Sequence, residues 1–479
     1  MKEVLKESAE VFRYFKEICA VPRGSGNTEA IRNYCVRFAE QNGLRVYSDE
    51  ANNVVIYKPG TKGYENARPV ILQGHLDMVC QKEENSPIDF EKDGIKAYTD
   101  GDFIKADGTT LGADNGIAVS MIMAVLASRD LPHPPIEAVF TTDEEIGMIG
   151  AQKLDTSVLK GRKMINLDSE EADVLTVSCA GGSDFKITFP IDRAVVRGTK
   201  VSLELSGLKG GHSGTDIDKG RVNASVLAGR LLNQLKKSAP FHIISISGGT
   251  KGNAIPFYCK AELVTDNTEG LIMSAEDCFS AVKKEISVRE PDCSISLTAK
   301  ETGDFGALST ASRDKLLYML LTTPNGITDM SAEIKGLVET SLNLGILETG
   351  TDSIVMQYAL RSNKESALAF LEDRLSLFAS YNGCRTEISG RYAPWEFKKD
   401  SPLQSLYADA YRERFGRKPQ IAAIHAGLEC AVFARKIEDL DCISIGPDMY
   451  DVHTVHESLS ISSAREIFEL LCTVLERCR

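Results

Sequence analysis

The segment VILQGHLDMVC, residues 70–80, closes an apolar run on His75 and, two residues later, Asp77. An imidazole at the tip of a buried strand can ligate a metal, and a neighbouring carboxylate can fix its ring and tautomer. Three more segments bring acids to places where apolar runs end. LGADNGIAV carries Asp114, AVFTTDEEIG carries Asp143, Glu144 and Glu145, and INLDSEE carries Asp168 followed by Glu170 and Glu171. Near the C-terminus DVHTVHE supplies His453 and His456. Each has a plain reading alone: a satisfied strand-end histidine, a helix N-cap at Asp114, a solvated acidic turn. Gathered at one sheet edge they are harder to dismiss, because like charges repel and their desolvation is costly unless cations compensate. Histidine with carboxylate suits Zn²⁺ or a related divalent ion, with Co²⁺ and Mn²⁺ as alternatives. Three carboxylates and two imidazoles make about the set needed for two ions roughly 3.5–4 Å apart. At Glu144–Glu145 adjacent side chains diverge, so one can ligate while the other takes a proton.

The elements that must position these groups read as two textures. Up to about residue 180, helical patterns (Glu10 to Ala20, Thr28 to Asn42) alternate with short apolar strands ending in polar residues, and NGIAVSMIMAVLASRD reads as a buried helix. Such alternation implies a largely parallel, doubly covered sheet. From about 185, FKITFPIDRAVV, TKVSLELSGLKG, FHIISISGG, CKAELVTD, SISLTAKE and IVMQYALRS alternate like half-exposed strands around the helix RVNASVLAGRLLNQLKK, an α+β pattern. After about 390 a helix (SPLQSLYADAYRERFG), two short apolar segments and a closing helix over Ser463 to Cys478 return to the first texture. The second module is therefore expected as an insertion: 1–182 and 391–479 form one domain and 183–390 the other. The apolar stripe of Val222, Val226, Leu227, Leu231 and Leu235 is open to packing inside that module or against a partner.

Bulk composition narrows the classes. With 479 residues, two domains are the first expectation. A net charge of −13 with no basic stripe argues against nucleic acid. No segment nears the roughly 18 uncharged apolar residues of a membrane span, and the charged N-terminus lacks a secretory apolar core. A cytoplasmic protein with no membrane partner is expected. The 12 cysteines contain no CxxC pair and read as buried free thiols. There is no phosphate loop and no G-x-S-x-G elbow, so neither nucleotide chemistry nor a serine nucleophile is supported.

In order along the chain, GHLDMVC (74–80), GADNGIAV (112–119), TTDEEIGMIGA (141–151), NLDSEE (166–171) and GGHSGTDI (210–217) resemble the M20 metallopeptidase family. GHLDMVC, GGTKGNAIP (248–256) and IHAGLEC (424–430) are similar to its aminoacyl-histidine dipeptidase branch, also called the cytosol non-specific dipeptidases. The resemblance implies an α/β fold: a zinc-peptidase-like catalytic domain with a central, mostly parallel sheet and an inserted α+β lid. It implies that His75 and Asp168 bind one metal, Glu145 and His453 the other, and that Asp114 bridges them. Asp77 would orient His75, and Glu144 would be the general base. His212 in GGHSG would steady the oxyanion, supplied by the partner subunit in dimeric members, so a homodimer is expected. Asn253 and Arg361 match lid positions that bind the peptide's polar groups and carboxylate. The sequence departs from the family after His453, where Thr454-Val455-His456-Glu457 replaces Ser-Pro-Asp/Asn-Glu and makes His456 a rival ligand. Phe257-Tyr258 also replace the Arg-Glu that often follows NAIP. His133 and His242 read as structural, and His425 as lining the site or packing near it.

The implied activity is hydrolysis of short, unblocked peptides: Xaa-His dipeptides such as β-Ala-His, and others such as Cys-Gly. The rivals are an N-acyl-amino-acid amidohydrolase of the same fold and a binding protein with an idle site.

Overall fold

The computed structural model describes residues 2–479, which divide into two compact units. One takes the chain up to Cys179, Trp395–Ala423 and Leu428–Arg479; the other takes Ala180–Pro394 and Ile424–Gly427. The junctions lie a few residues from the sequence expectation of 182/183 and 390/391. Strand pairing accounts for this: strand Gly181–Pro190 pairs with strand Arg385–Tyr392, with Gly182 opposite Tyr392, so both ends belong to the inserted sheet. The short piece 424–427, which the sequence assigns to the first texture, belongs to the inserted unit.

The first unit is built on an eight-stranded sheet in the order Arg45–Ser48, Val54–Lys58, Ile136–Thr141, Val70–His75, Lys163–Asn166, Asp441–Ser444, Val174–Cys179 and Gln420–Ile424. The sheet is mixed rather than mostly parallel. The three pairs from Ile136–Thr141 to Asp441–Ser444 are parallel, and the flanking pairs Arg45–Ser48 with Val54–Lys58, Val54–Lys58 with Ile136–Thr141, and Asp441–Ser444 with Val174–Cys179 are antiparallel. The central strands are the continuous apolar ones: every residue of Val70–His75 and of Ile136–Thr141 is buried, as parallel strands covered on both faces should be. Helix Ala113–Ala127 is apolar on every side and almost wholly buried.

Register decides where the chemistry sits. Parallel pairing puts His75 opposite Thr141 and Gln73 opposite Asn166. All three chains leave the sheet at the same edge, so His75, Asp143–Glu145 and Asp168 emerge side by side. His453 arrives separately, in the loop between the paired strands Met449–Tyr450 and Ser458–Ser460 of a four-stranded sheet.

The inserted unit is a nine-stranded antiparallel sheet with helices Ala224–Leu235, Thr268–Ile286, Thr310–Thr322 and Glu365–Tyr381. Leu227, Leu231 and Leu235 lie in one core with Phe185, Leu203, Leu263 and Met356, and Val222 and Val226 pack against it. The stripe on 222–235 thus faces its own unit. FKITFPIDRAVV, which reads as one strand, is two: Gly181–Pro190 and the start of Arg193–Ser206. Pro190 cannot extend a hydrogen-bonded ladder and the chain turns there.

Candidate metal centre

Strand Val70–His75 delivers the His75 ring, 1% exposed, into a nest of carboxylates. Its Nδ1 lies 3.1 Å from the Asp77 carbonyl oxygen and 3.5 Å from Asp77 Oδ1. Donation there puts the proton on Nδ1 and leaves the Nε2 lone pair free. Nε2 faces Asp114 Oδ1 at 3.0 Å and Asp168 Oδ1 at 3.4 Å. The contact with Asp168 follows from register, each residue lying two positions past the paired Gln73 and Asn166. Asp77, fully buried, also accepts hydrogen bonds from Ser25 Oγ at 2.8 Å and from the backbone N–H groups of Glu144 at 3.1 Å and Glu145 at 3.3 Å. Asp77 therefore holds the imidazole chiefly through its carbonyl oxygen and the acidic turn through its carboxylate.

His453 Nε2 lies 3.0 Å from Asp114 Oδ2 and 3.0 Å from Glu145. Its backbone is left-handed, φ +66°, which lets the loop turn the ring inward. Asp114 thus offers one oxygen to each histidine. Three groupings have ligand atoms all within 4.8 Å of one another: His75, Asp114 and Asp168; Asp114, Glu145 and His453; and His75, Glu144 and Glu145. His456 is exposed and appears in none of the groupings found among the described residues.

The electrostatics show a site short of positive charge. Burial works against protonation of His75, yet the Asp168 and Asp114 carboxylates push its pKa well above the ordinary range. Hydrogen bonds to Asp114 and Glu145 push His453 up to about 11. Burial, reinforced by Asp114 and Glu145 against His75, pushes Asp168 up to about 6. Burial also raises Glu144 well above the ordinary carboxyl value, with Asp168, Glu429 and Glu145 adding to it and His75 opposing. Such shifts are what a buried cluster of acids with few counter-charges produces. The donor set of imidazole nitrogens and carboxylate oxygens suits one or two divalent ions. Beside it, Gly24, Ser25, Met78, Cys80, Phe90, Glu145 and Ile146 help to line a cleft of about 510 Å³.

Within the inserted unit, the two-residue strand Gly211–His212 pairs with Ala254–Ile255, which sets Asn253 beside it; the Asn253 carbonyl accepts from Ser213 N–H at 2.9 Å. His212 Nδ1 accepts from the N–H groups of Gly214 and Thr215, leaving Nε2–H free to donate. That Nε2 lies 3.4 Å from the Arg361 guanidinium, which donates to Tyr392 Oη at 3.0 Å. Burial, and then Arg361, lower His212 to about 4. His425 packs between Ser341 Oγ at 2.8 Å and Asn363 Oδ1 at 3.2 Å. His133 is buried on the Pro134 carbonyl, and His242 sits half-buried on strand His242–Gly248.

Several supporting residues escape the sequence reading. Asn115 ties the His75 N–H to the Leu167 carbonyl through its side chain. Glu429, fully buried, accepts from Gln73 and Thr141 beneath the strand tips. Arg23 and Glu457 grip the loop that carries Asp114. The sequence carried a signal for three of them: Asn115 lies in GADNGIAV, Glu429 in IHAGLEC, and Glu457 closes the family's last histidine motif.

The model of the family described as peptidase family M20/M25/M40 matches residues 71–477. The chain is 37% identical over 466 residues to the cytosol non-specific dipeptidase of Escherichia coli strain K12, covering 96% of each. It superposes on aminoacylhistidine dipeptidase from Vibrio alginolyticus with a TM-score of 0.88 and 36% identity, covering 98% of this chain and 96% of that one. Human carnosine dipeptidase 1, at 15% identity and a TM-score of 0.52 over 100% and 97% of the chains, shares the fold.

Proposed function

The chain belongs to peptidase family M20/M25/M40, and from that membership we propose that it is a cytoplasmic, metal-dependent dipeptidase acting on unblocked dipeptides. Candidate substrates are Xaa-His peptides such as β-Ala-His and others such as Cys-Gly. The observation that carries the reading is the convergence of two imidazoles and three carboxylates on shared contacts, with Glu144 as one acid more than the ligand sets need. His75, Asp168 and Asp114 would hold one ion, and Glu145, His453 and Asp114 a second. Two Zn²⁺, or Co²⁺ or Mn²⁺, supply Lewis acidity toward the scissile carbonyl and toward a water molecule.

The rest is done by the chain's own groups. Asp77 holds the His75 tautomer and the Glu144–Glu145 turn. Glu144 takes the proton of the attacking water and returns it to the leaving amine, the work of a general base whose proton affinity burial has raised. The free Nε2–H of His212 suits an oxyanion, and Asn253 a peptide polar group. The Arg361 fork suits the peptide's terminal carboxylate. The cleft beside Glu145 gives an unblocked N-terminal residue somewhere to lie. Residues 183–390 act as the lid in this reading. A homodimer would allow His212 to serve a partner's site.

The test is hydrolysis of a panel by purified protein, stripped of metal and refilled with Zn²⁺, Co²⁺ or Mn²⁺. The panel sets Ala-His, β-Ala-His, Cys-Gly and Leu-Gly beside a tripeptide and N-acetyl-Ala. Metal-dependent cleavage of free dipeptides is expected. Cleavage of N-acetyl-Ala alone would make the protein an amidohydrolase, and silence with metal bound would point to a binding role or to a substrate outside the panel.

A further inference from the structure

The loop Leu111–Asp114 is held from two sides by buried charged side chains that lie outside the ligand groupings found among the described residues. On one side is the Glu457 carboxylate, 3% exposed. Its Oε2 accepts from the N–H groups of Leu111 at 2.7 Å and Gly112 at 3.0 Å, and its Oε1 from those of Ala113 at 2.8 Å and Asp114 at 3.3 Å. Four consecutive backbone donors thus close on one carboxylate. On the other side is Arg23, 2% exposed. One terminal nitrogen donates to the Gly112 carbonyl, and the other to the carbonyls of Leu76 at 3.0 Å and Asp77 at 3.1 Å.

The local sequence is cut to fit this arrangement. Gly112 has φ +69°, and a Cβ there would strike the Arg23 guanidinium and the Met78 sulfur. A Cβ at Gly116 would strike the same guanidinium. Hydrogen bonds to ionised groups are shorter and stronger than neutral ones, so this loop is fixed more firmly than a turn that satisfies itself.

The two charges join different pairs of elements. Glu457 lies four residues after His453 on the same loop, so its grip sets His453 against Asp114, which face each other at 3.0 Å. Arg23 sets the same loop against the tip of strand Val70–His75, and so Asp114 against His75. Metal sites depend on such outer groups to hold ligands in register, and losing one typically costs about 10- to 100-fold in metal affinity or activity.

We propose that Glu457 and Arg23 are positioning residues that preset Asp114 for two ions, with Glu457 selective for the ion held by Glu145 and His453. The proposal rests on the two-ion reading above, and its test reads metal directly rather than peptide hydrolysis. Zn²⁺ affinity of the full chain is measured by competition with a chromophoric chelator, and the visible spectrum is followed as Co²⁺ is added. Glu457→Gln keeps the shape but presents an amide N–H₂ to backbone donors. It should weaken one of two metal equivalents by about 10- to 100-fold and leave the other near wild type. His453→Ala identifies which equivalent that is. Arg23→Lys, which keeps the charge but loses the fork, should weaken binding less and should alter the Co²⁺ spectrum of the other equivalent. Wild-type binding of both equivalents in Glu457→Gln would overturn the proposal. Equal weakening of both, with a matching fall in melting temperature, would also overturn it, by reducing Glu457 to a structural role. Should the wild type bind only one equivalent, the two-ion reading itself fails, whatever the variants do.

Discussion

Histidine behaves in opposite ways in the two units. In the candidate metal pocket His453 sits among carboxylates and is pushed up to about 11 by Asp114 and Glu145. In the inserted unit burial, followed by Arg361, lowers His212 to about 4 and His425 to about 3. The residue type is the same and the neighbours decide. The first setting is an anionic hole that calls for cations. The second is a neutral imidazole beside a fixed guanidinium, suited to donating hydrogen bonds to an anion.

The contrast is broken most severely at Glu144. Glu144→Ala should keep its metal content and lose turnover by roughly 10²- to 10⁴-fold, the usual worth of a general base. Near-wild-type turnover in a metal-replete variant would remove Glu144 from the chemistry. The other pole is tested at Arg361, which is 8% exposed. Arg361→Ala should raise KM for free dipeptides by about 10- to 100-fold, the worth of a charged hydrogen bond of about 1.5–3 kcal/mol. C-terminally amidated peptides should change far less, and equal effects on both would show that the guanidinium does not read a carboxylate.

The smallest effect sharpens the comparison inside the metal unit. Burial, aided by Asp168 and Asp77 against His75 and Thr141, pushes Glu429 up from 4.5 to about 8. Across that window the folded, metal-free protein holds a proton that the unfolded chain has released. The contribution of Glu429 to stability therefore falls as pH rises from about 4.5 to 8. Glu429→Gln should flatten this slope, read as melting temperature against pH in chelator. An unchanged slope would mean that Glu429 is already ionised in the fold.

Much of the metal pocket was legible because strand periodicity and motif order lie along the chain. Buried apolar runs ending in His75, Glu144–Glu145 and Asp168 point to one sheet edge, and the family resemblance supplied the pairing of ligands. What separates His453 from His456 is visible only in the fold: both rings are exposed, and only that of His453 reaches Asp114 and Glu145, each at 3.0 Å. The inserted unit is less legible in the sequence. Its helices Thr268–Ile286, Thr310–Thr322 and Glu365–Tyr381 emerge only in the fold, and helix Thr310–Thr322 carries scarcely any amphipathic signal in the sequence.

By itself the sequence determined the class of chemistry, the two textures and the acids at the strand ends, because residue type and period are local properties. Tertiary structure alone decided which groups meet. The parallel register of Gln73 with Asn166 set His75 against Asp168. Four backbone N–H groups closed on Glu457 from more than 340 residues away, and Arg23 took the carbonyl behind them. Backbone donors and acceptors carry no sequence signature, so a grip built from them cannot be read until the chain is folded.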